Sequence, residues 1–176
     1  MKTTLPLNFA PMDEATSRSM LKWHYPPPYE QYSATSTDAE AVLSYLMNLA
    51  NRFYAIRDAN TQLVGFCSFG ANAQVPGGDY TDRATLDIGL GLQPELTGKG
   101  LGLMVVQATL AFAQQQWAPP HFRMTVAAFN TRAIRVYERA GFRTTYRFLS
   151  SGPAPQRFIQ MVAHQPDSAA SHTGAT

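Results

Sequence analysis

The sequence predicts a mixed α/β domain, and three stretches carry that prediction. Leu86-Asp87-Ile88-Gly89-Leu90-Gly91-Leu92 is an apolar strand that leads through Gln93-Pro94-Glu95 and a glycine-rich turn into residues 103–112, which have helix length and helix composition. Residues 130–141 form a short amphipathic segment with Asn130 as N-cap and Gly141 as the residue that ends it. Residues 52–57 and 62–69, separated by a turn at Asp58-Ala59-Asn60, read as a hairpin.

The remaining elements follow in order. Residues 3–9 suit an edge strand, and Pro11-Met12-Asp13-Glu14 suits the start of a helix over residues 15–23. Tyr25-Pro26-Pro27-Pro28-Tyr29-Glu30-Gln31-Tyr32 must end that helix, because prolines cannot continue it and stiffen the chain toward an extended form. A second helix is expected over residues 37–51, capped by Thr37 with Glu40 three residues on and lined by Val42, Leu43, Leu46 and Leu49. Pro76-Gly77-Gly78-Asp79 marks a loop before the central strand. Residues 122–128 look like a strand between the two helical motifs. Residues 143–149 and 157–163 look like two more, joined by Ser150-Ser151-Gly152-Pro153. One domain over residues 1–164 is expected, with a small, polar and disordered tail over 165–176.

A strand, a glycine turn and a helix in that order gather backbone N–H groups at the positive end of a helix, which suits a phosphate. Two common phosphate loops do not fit. A P-loop needs glycine where Gln93 stands and a hydroxyl where Gly100 stands, and the dinucleotide fingerprint needs G-x-G-x-x-G where this chain has Gly98-x-Gly100-x-Gly102. What remains is a pyrophosphate cradle of another kind, or a turn that only lets a helix pack close to a strand.

The second helical motif separates these. In residues 130–142, Ala133, Val136, Tyr137 and Ala140 fall on one face, with Arg132, Arg135, Glu138 and Arg139 elsewhere. The pairing of P-E-x-x-G-K-G-x-G with N-x-x-A-x-x-x-Y-x-x-x-G-F, over roughly residues 85 to 142, resembles the GNAT superfamily of acyl-coenzyme A dependent N-acyltransferases. The resemblance implies a central mixed, mostly antiparallel sheet of about six to seven strands flanked by about four helices. It also implies that acetyl-coenzyme A is the co-substrate, with its phosphates on Thr97, Gly98, Lys99, Gly100, Leu101 and Gly102 and its arm paired with backbone near Leu90 and Leu92. Where the family usually opens this loop with Gln or Arg the chain has Thr97, which supplies a backbone N–H equally well.

By the same resemblance Asn130 meets the cofactor arm and Tyr137 protonates the departing sulfur. Asp87 is the leading proton acceptor, acting directly or through water, although it equally suits an ordinary polar residue of the strand that faces solvent or an arginine. A proton acceptor matters more than a donor, because an amine with a pKa of about 10.4 is rarely free base at neutral pH whereas a thiol near 8.5 leaves readily. Arg132, Arg135 and Lys99 suit the ribose phosphate, or simply a solvated surface. The loop after the first helix implies an acceptor wall made of Trp23, Tyr25, Tyr29 and Tyr32, although the same rings equally suit a core edge or a dimer contact. The expected activity is acetyl transfer to a primary amine, on a small molecule or a peptide, in a ternary complex. The alternative is an acyl-coenzyme A sensor without turnover.

Composition narrows the remaining classes. With 176 residues and a formal net charge of +2, the chain shows no basic run that would point to nucleic acid. Cys67 lies in an apolar run, and His24, His121, His164 and His172 lack metal-ligand spacing, so no metal is expected. No stretch has membrane-span length, and Pro6 and Pro11 interrupt any signal core, which makes the cytoplasm the expected location and leaves a homodimer open.

Overall fold

A computed structural model describes residues 6–33 and 37–164. Its elements run β1 (Asn8–Pro11), α1 (Glu14–Met20), α2 (Ala39–Met47), β2 (Phe53–Arg57), β3 (Leu63–Phe69), β4 (Thr85–Leu92), α3 (Gly102–Trp117), β5 (His121–Ala127), α4 (Thr131–Arg139), β6 (Arg143–Leu149) and β7 (Arg157–His164). The strands form one seven-stranded sheet in the order β1-β2-β3-β4-β5-β7-β6. Every neighbouring pair is antiparallel except β4 with β5. This is the expected mixed, mostly antiparallel sheet. No helix among the described residues is long and apolar enough to cross a membrane.

Alternation along the strands gives the sheet two packed faces. Ile56, Cys67, Phe69, Ile88 and Met124 pack with Val105 and Val106 of α3 and with Tyr137 of α4. On the other face, Ala55 packs with Met12 and Leu46, joined by Met20, Val42 and Phe66, so α1 and α2 cover that side. Gly102 lets α3 approach α4 closely, since a Cβ there would lie 3.1 Å from Val136 Cγ2.

Helix ends follow the chain's capping chemistry. Asp13 caps α1 by accepting from the Thr16 amide, and Asn130 caps α4 by accepting from the Ala133 amide. For α2 the cap is Asp38, accepting from the Ala41 amide, and not the expected Thr37. That helix also stops at Met47, where Asn48 begins a separate 3-10 turn over Leu49–Asn51. α3 runs five residues past the expected end at 112, to Trp117, and Ala118 then takes a left-handed φ of 44°. Residues 3–5 of the expected first strand and the tail from 165 onward lie outside the described residues; the strand itself is Asn8–Pro11.

Candidate active site

The site begins where two strands part. β4 and β5 pair in parallel from Thr85↔His121 to Ile88↔Met124 and no further, although β4 continues to Leu92. The Gln93 amide donates to the Val64 carbonyl at 2.9 Å, which fixes the phase of β4. Residues 89, 91 and 93 therefore turn their backbone groups toward β3, and Leu90 and Leu92 turn theirs toward the side that β5 has left. An extended ligand has a strand edge to pair with there.

Just beyond, Pro94–Leu96 makes a 3-10 turn and the chain enters the glycine loop. Gly98 and Gly100 take φ of +74° and +80°, a left-handed geometry that a side chain would strain, and a Cβ at Gly100 would meet nothing within 4 Å. α3 starts at Gly102 with no side-chain cap, and its first turn closes with the Val105 amide donating to the Leu101 carbonyl. The amides of residues 98–104 have no hydrogen-bond acceptor among the described residues. They form a row of open donors at a helix N-terminus. Thr97 differs from expectation: its amide and its hydroxyl both donate to the Pro94 carbonyl, at 3.1 and 2.8 Å, so the open row starts at Gly98 and extends past Gly102 to Leu103 and Met104.

Tyr137, on α4, is 8% exposed and packs against Phe142 at a centroid distance of 6.0 Å. Its hydroxyl has no hydrogen-bond partner among the described residues. Burial, with a smaller contribution from nearby Tyr32, pushes its phenol well above the ordinary tyrosine range, so it holds its proton. Asn130 supplies both a cap and a link, since its Nδ2 donates to the Tyr32 hydroxyl at 3.4 Å.

The aromatic loop spans the gap between the parted strands. On one side the Tyr25 hydroxyl donates to the Leu92 carbonyl at 2.6 Å, and burial together with Glu95 pushes its pKa up to about 12. On the other side Tyr29 and Tyr32 pack against Phe129, at 5.8 and 6.2 Å between centroids, and the Arg132 guanidinium lies 3.9 Å over the Tyr29 ring. Arg132 also borders the glycine loop, 3.7 Å from where a Gly98 Cβ would stand. Trp23 does not join this group. It is buried, with Phe66 of β3 as its ring partner, and serves the core under α1.

Asp87 also departs from expectation as a direct proton acceptor. It is 4% exposed, and Arg123, 5% exposed and directly opposite on β5, donates Nε to Oδ1 at 2.6 Å and Nη2 to Oδ2 at 3.0 Å. Gln74 Nε2 adds a third donor at 2.8 Å, and the Arg123 guanidinium stacks 4.7 Å over Tyr80. Both oxygens of Asp87 are thus engaged in a buried ion pair and its flanking hydrogen bond. It braces β4 to β5 one residue before their pairing ends.

Sequence reasoning missed Phe129, Arg123 and Gln74. Phe129 precedes an N-cap, where an apolar residue ordinarily staples back onto its own helix, and only the fold turns it toward Tyr29 and Tyr32. Arg123 gave a faint signal as the one formally charged residue of a mostly apolar strand.

Comparison with known proteins agrees with this architecture. The chain matches the acetyltransferase (GNAT) domain family over residues 7–143. No curated protein matches the sequence significantly. Among solved structures, a GNAT-family acetyltransferase from Bacillus anthracis superposes with a TM-score of 0.70 at 17% identity, covering 90% of this chain and 94% of that one. A point mutant of the spermidine N-acetyltransferase SpeG from Vibrio cholerae gives a TM-score of 0.66 at 16% identity, covering 90% and 94%. AAC(6')-Ib, solved with ribostamycin and coenzyme A, gives 0.71 at 20% identity, covering 96% and 99%. At these identities the likeness is one of fold.

Proposed function

This chain belongs to the GNAT acetyltransferase family, and from that premise we propose that it transfers an acetyl group from acetyl-coenzyme A to a primary amine, both bound together at the parted ends of β4 and β5. The observation that carries the reading is the row of open amides over residues 98–104 together with the edge of β4 at Leu90 and Leu92 that β5 leaves, where the Leu92 carbonyl is taken by Tyr25. A diphosphate supplies the acceptors that such a row lacks, and an extended amide-bearing arm supplies the missing strand. Gly98, Lys99, Gly100, Leu101 and Gly102 hold the diphosphate, with Leu103 and Met104, and Arg132 adds charge beside the loop. When bound, the co-substrate supplies an activated acyl group on a thiol leaving group.

The chain's own residues then divide the work. Leu90 and Leu92 align the arm, and a backbone N–H on the same edge meets the negative charge that develops on the acyl oxygen. Tyr137 keeps its proton at neutral pH and donates it to the departing sulfur. Asn130 holds the start of α4 and the hydroxyl of Tyr32 in place beside it. Asp87 works as the brace that fixes where the cleft opens; the attacking amine gives its proton to solvent, and Tyr137 regains from solvent the proton it gave to sulfur.

A thiol-release assay with acetyl-coenzyme A against a panel of amines tests this. Amine-dependent release that falls in Tyr137→Phe, while coenzyme A still raises the melting temperature, is the expected outcome. Coenzyme A binding with no release for any amine would instead make the protein a sensor.

A further inference from the structure

Resting on that transferase reading, we infer that the acceptor is a primary amine a few bonds from one flat apolar group, which lies on a shelf made by Tyr32 and Phe129, and that polyamines and aminoglycosides are poor acceptors. The two rings are stacked 6.2 Å apart at an interplanar angle of 22°, and they stay 41% and 40% exposed. Phe69, Phe122 and Phe142 are by contrast almost fully enclosed; Tyr45 and Tyr146 are also exposed, at 49% and 46%, but neither contacts this ring cluster. Tyr29 backs the shelf, with centroids 6.4 Å from Tyr32 and 5.8 Å from Phe129, and Tyr25 meets Tyr32 edge-on at 6.3 Å. A rigid, exposed, stacked pair offers ring faces to a flat ligand at little cost in side-chain freedom.

The shelf adjoins the reacting end. Tyr25 holds the Leu92 carbonyl and Tyr32 takes the Asn130 amide, so a group lying on the rings keeps an attached amine near the open edge of β4. The cation held against these rings disfavours a chain of ammonium groups. Arg132, stacked under Tyr29, places a permanent cation beside the shelf. Glu95, exposed in the turn after β4, acts electrostatically on Tyr25. Glu30 is exposed on the loop's outer turn, where its main-chain carbonyl accepts from the Ser33 amide and its carboxylate has no hydrogen-bond partner among the described residues. A polyamine would set its further ammonium groups against Arg132 and apolar ring faces.

The test is kcat/KM for thiol release with phenethylamine, a short peptide beginning with Phe, n-butylamine, spermidine and kanamycin. The expected order puts phenethylamine or the Phe peptide first, and comparison of those two identifies a free amine or a chain N-terminus as the source. Phe129→Ala should lower the phenethylamine value about three- to tenfold relative to n-butylamine, the range of one lost aromatic stack. In that variant coenzyme A should still raise the melting temperature as in the parent, and Arg132→Gln should raise spermidine relative to phenethylamine. Spermidine or kanamycin outperforming phenethylamine, or Phe129→Ala affecting both monoamines equally, would overturn the inference and leave the transferase reading standing. Silence with every amine while coenzyme A binds would overturn both.

Discussion

The glycine loop over residues 97–104 and the aromatic loop over residues 25–32 face the same opening in the sheet and are built in opposite ways. The first presents main-chain amides, held in position by the left-handed geometry of Gly98 and Gly100 and by the start of α3. The second presents side chains gathered from distant segments, with Tyr25 on the Leu92 carbonyl, Tyr32 on Asn130 and Tyr29 between Phe129 and Arg132. Main-chain donors are the same whatever residue carries them, so the glycine loop suits a ligand that never changes. Side-chain surfaces change with each substitution, so the aromatic loop is where acceptor choice resides.

Substitutions should separate the two. The largest effect is expected at Tyr137, which serves the chemistry between them: Tyr137→Phe should lower kcat about 10²- to 10⁴-fold with coenzyme A binding retained, measured by single-turnover thiol release. Next is the brace beneath both loops. Asp87→Asn strands the Arg123 guanidinium in the interior and should reduce unfolding free energy by about 3–5 kcal/mol, read from urea denaturation. If Asp87→Asn abolished turnover with stability unchanged, Asp87 would be the proton acceptor after all.

Smaller effects sharpen the contrast. Gly100→Val must adopt a φ of +80° and should cost about 1–2 kcal/mol, weakening coenzyme A by roughly 5- to 30-fold in calorimetry while acceptor preference stays fixed. Phe129→Ala should do the reverse. The smallest effect is on alkaline stability. The Tyr25 and Tyr137 phenols ionise less readily in the folded chain than in the unfolded one, where tyrosine titrates near 10.0. Their contribution is therefore constant below pH 10 and is lost as pH rises toward about 12, which thermal melts across that window would record.

The same contrast explains what could be read from the chain alone. The glycine loop, the Asn130 cap and Tyr137 were legible because local rules govern them: glycine spacing, capping chemistry and helical period. Even there, the loss of Thr97 to the Pro94 carbonyl depends on how a 3-10 turn closes, which spacing does not reveal. Trp23, Tyr25, Tyr29 and Tyr32 were legible as a group and not as individuals, because the face a proline-stiffened loop turns inward depends on what it meets, and Trp23 meets Phe66. For Asp87 a facing arginine was one of the open readings, but which arginine was hidden, since Arg123 lies across a parallel strand pair that only the fold brings into register.

The central claim is that the amides of residues 98–104 grip the diphosphate of coenzyme A. Titrating coenzyme A into ¹⁵N-labelled protein tests it most directly, with pantetheine, which lacks the diphosphate, as the control. The account predicts that coenzyme A shifts the amide resonances of Gly98, Gly100 and their neighbours through Met104 more than any others, and that pantetheine leaves them in place. Coenzyme A binding that perturbs other regions while those amides stay unmoved would contradict it.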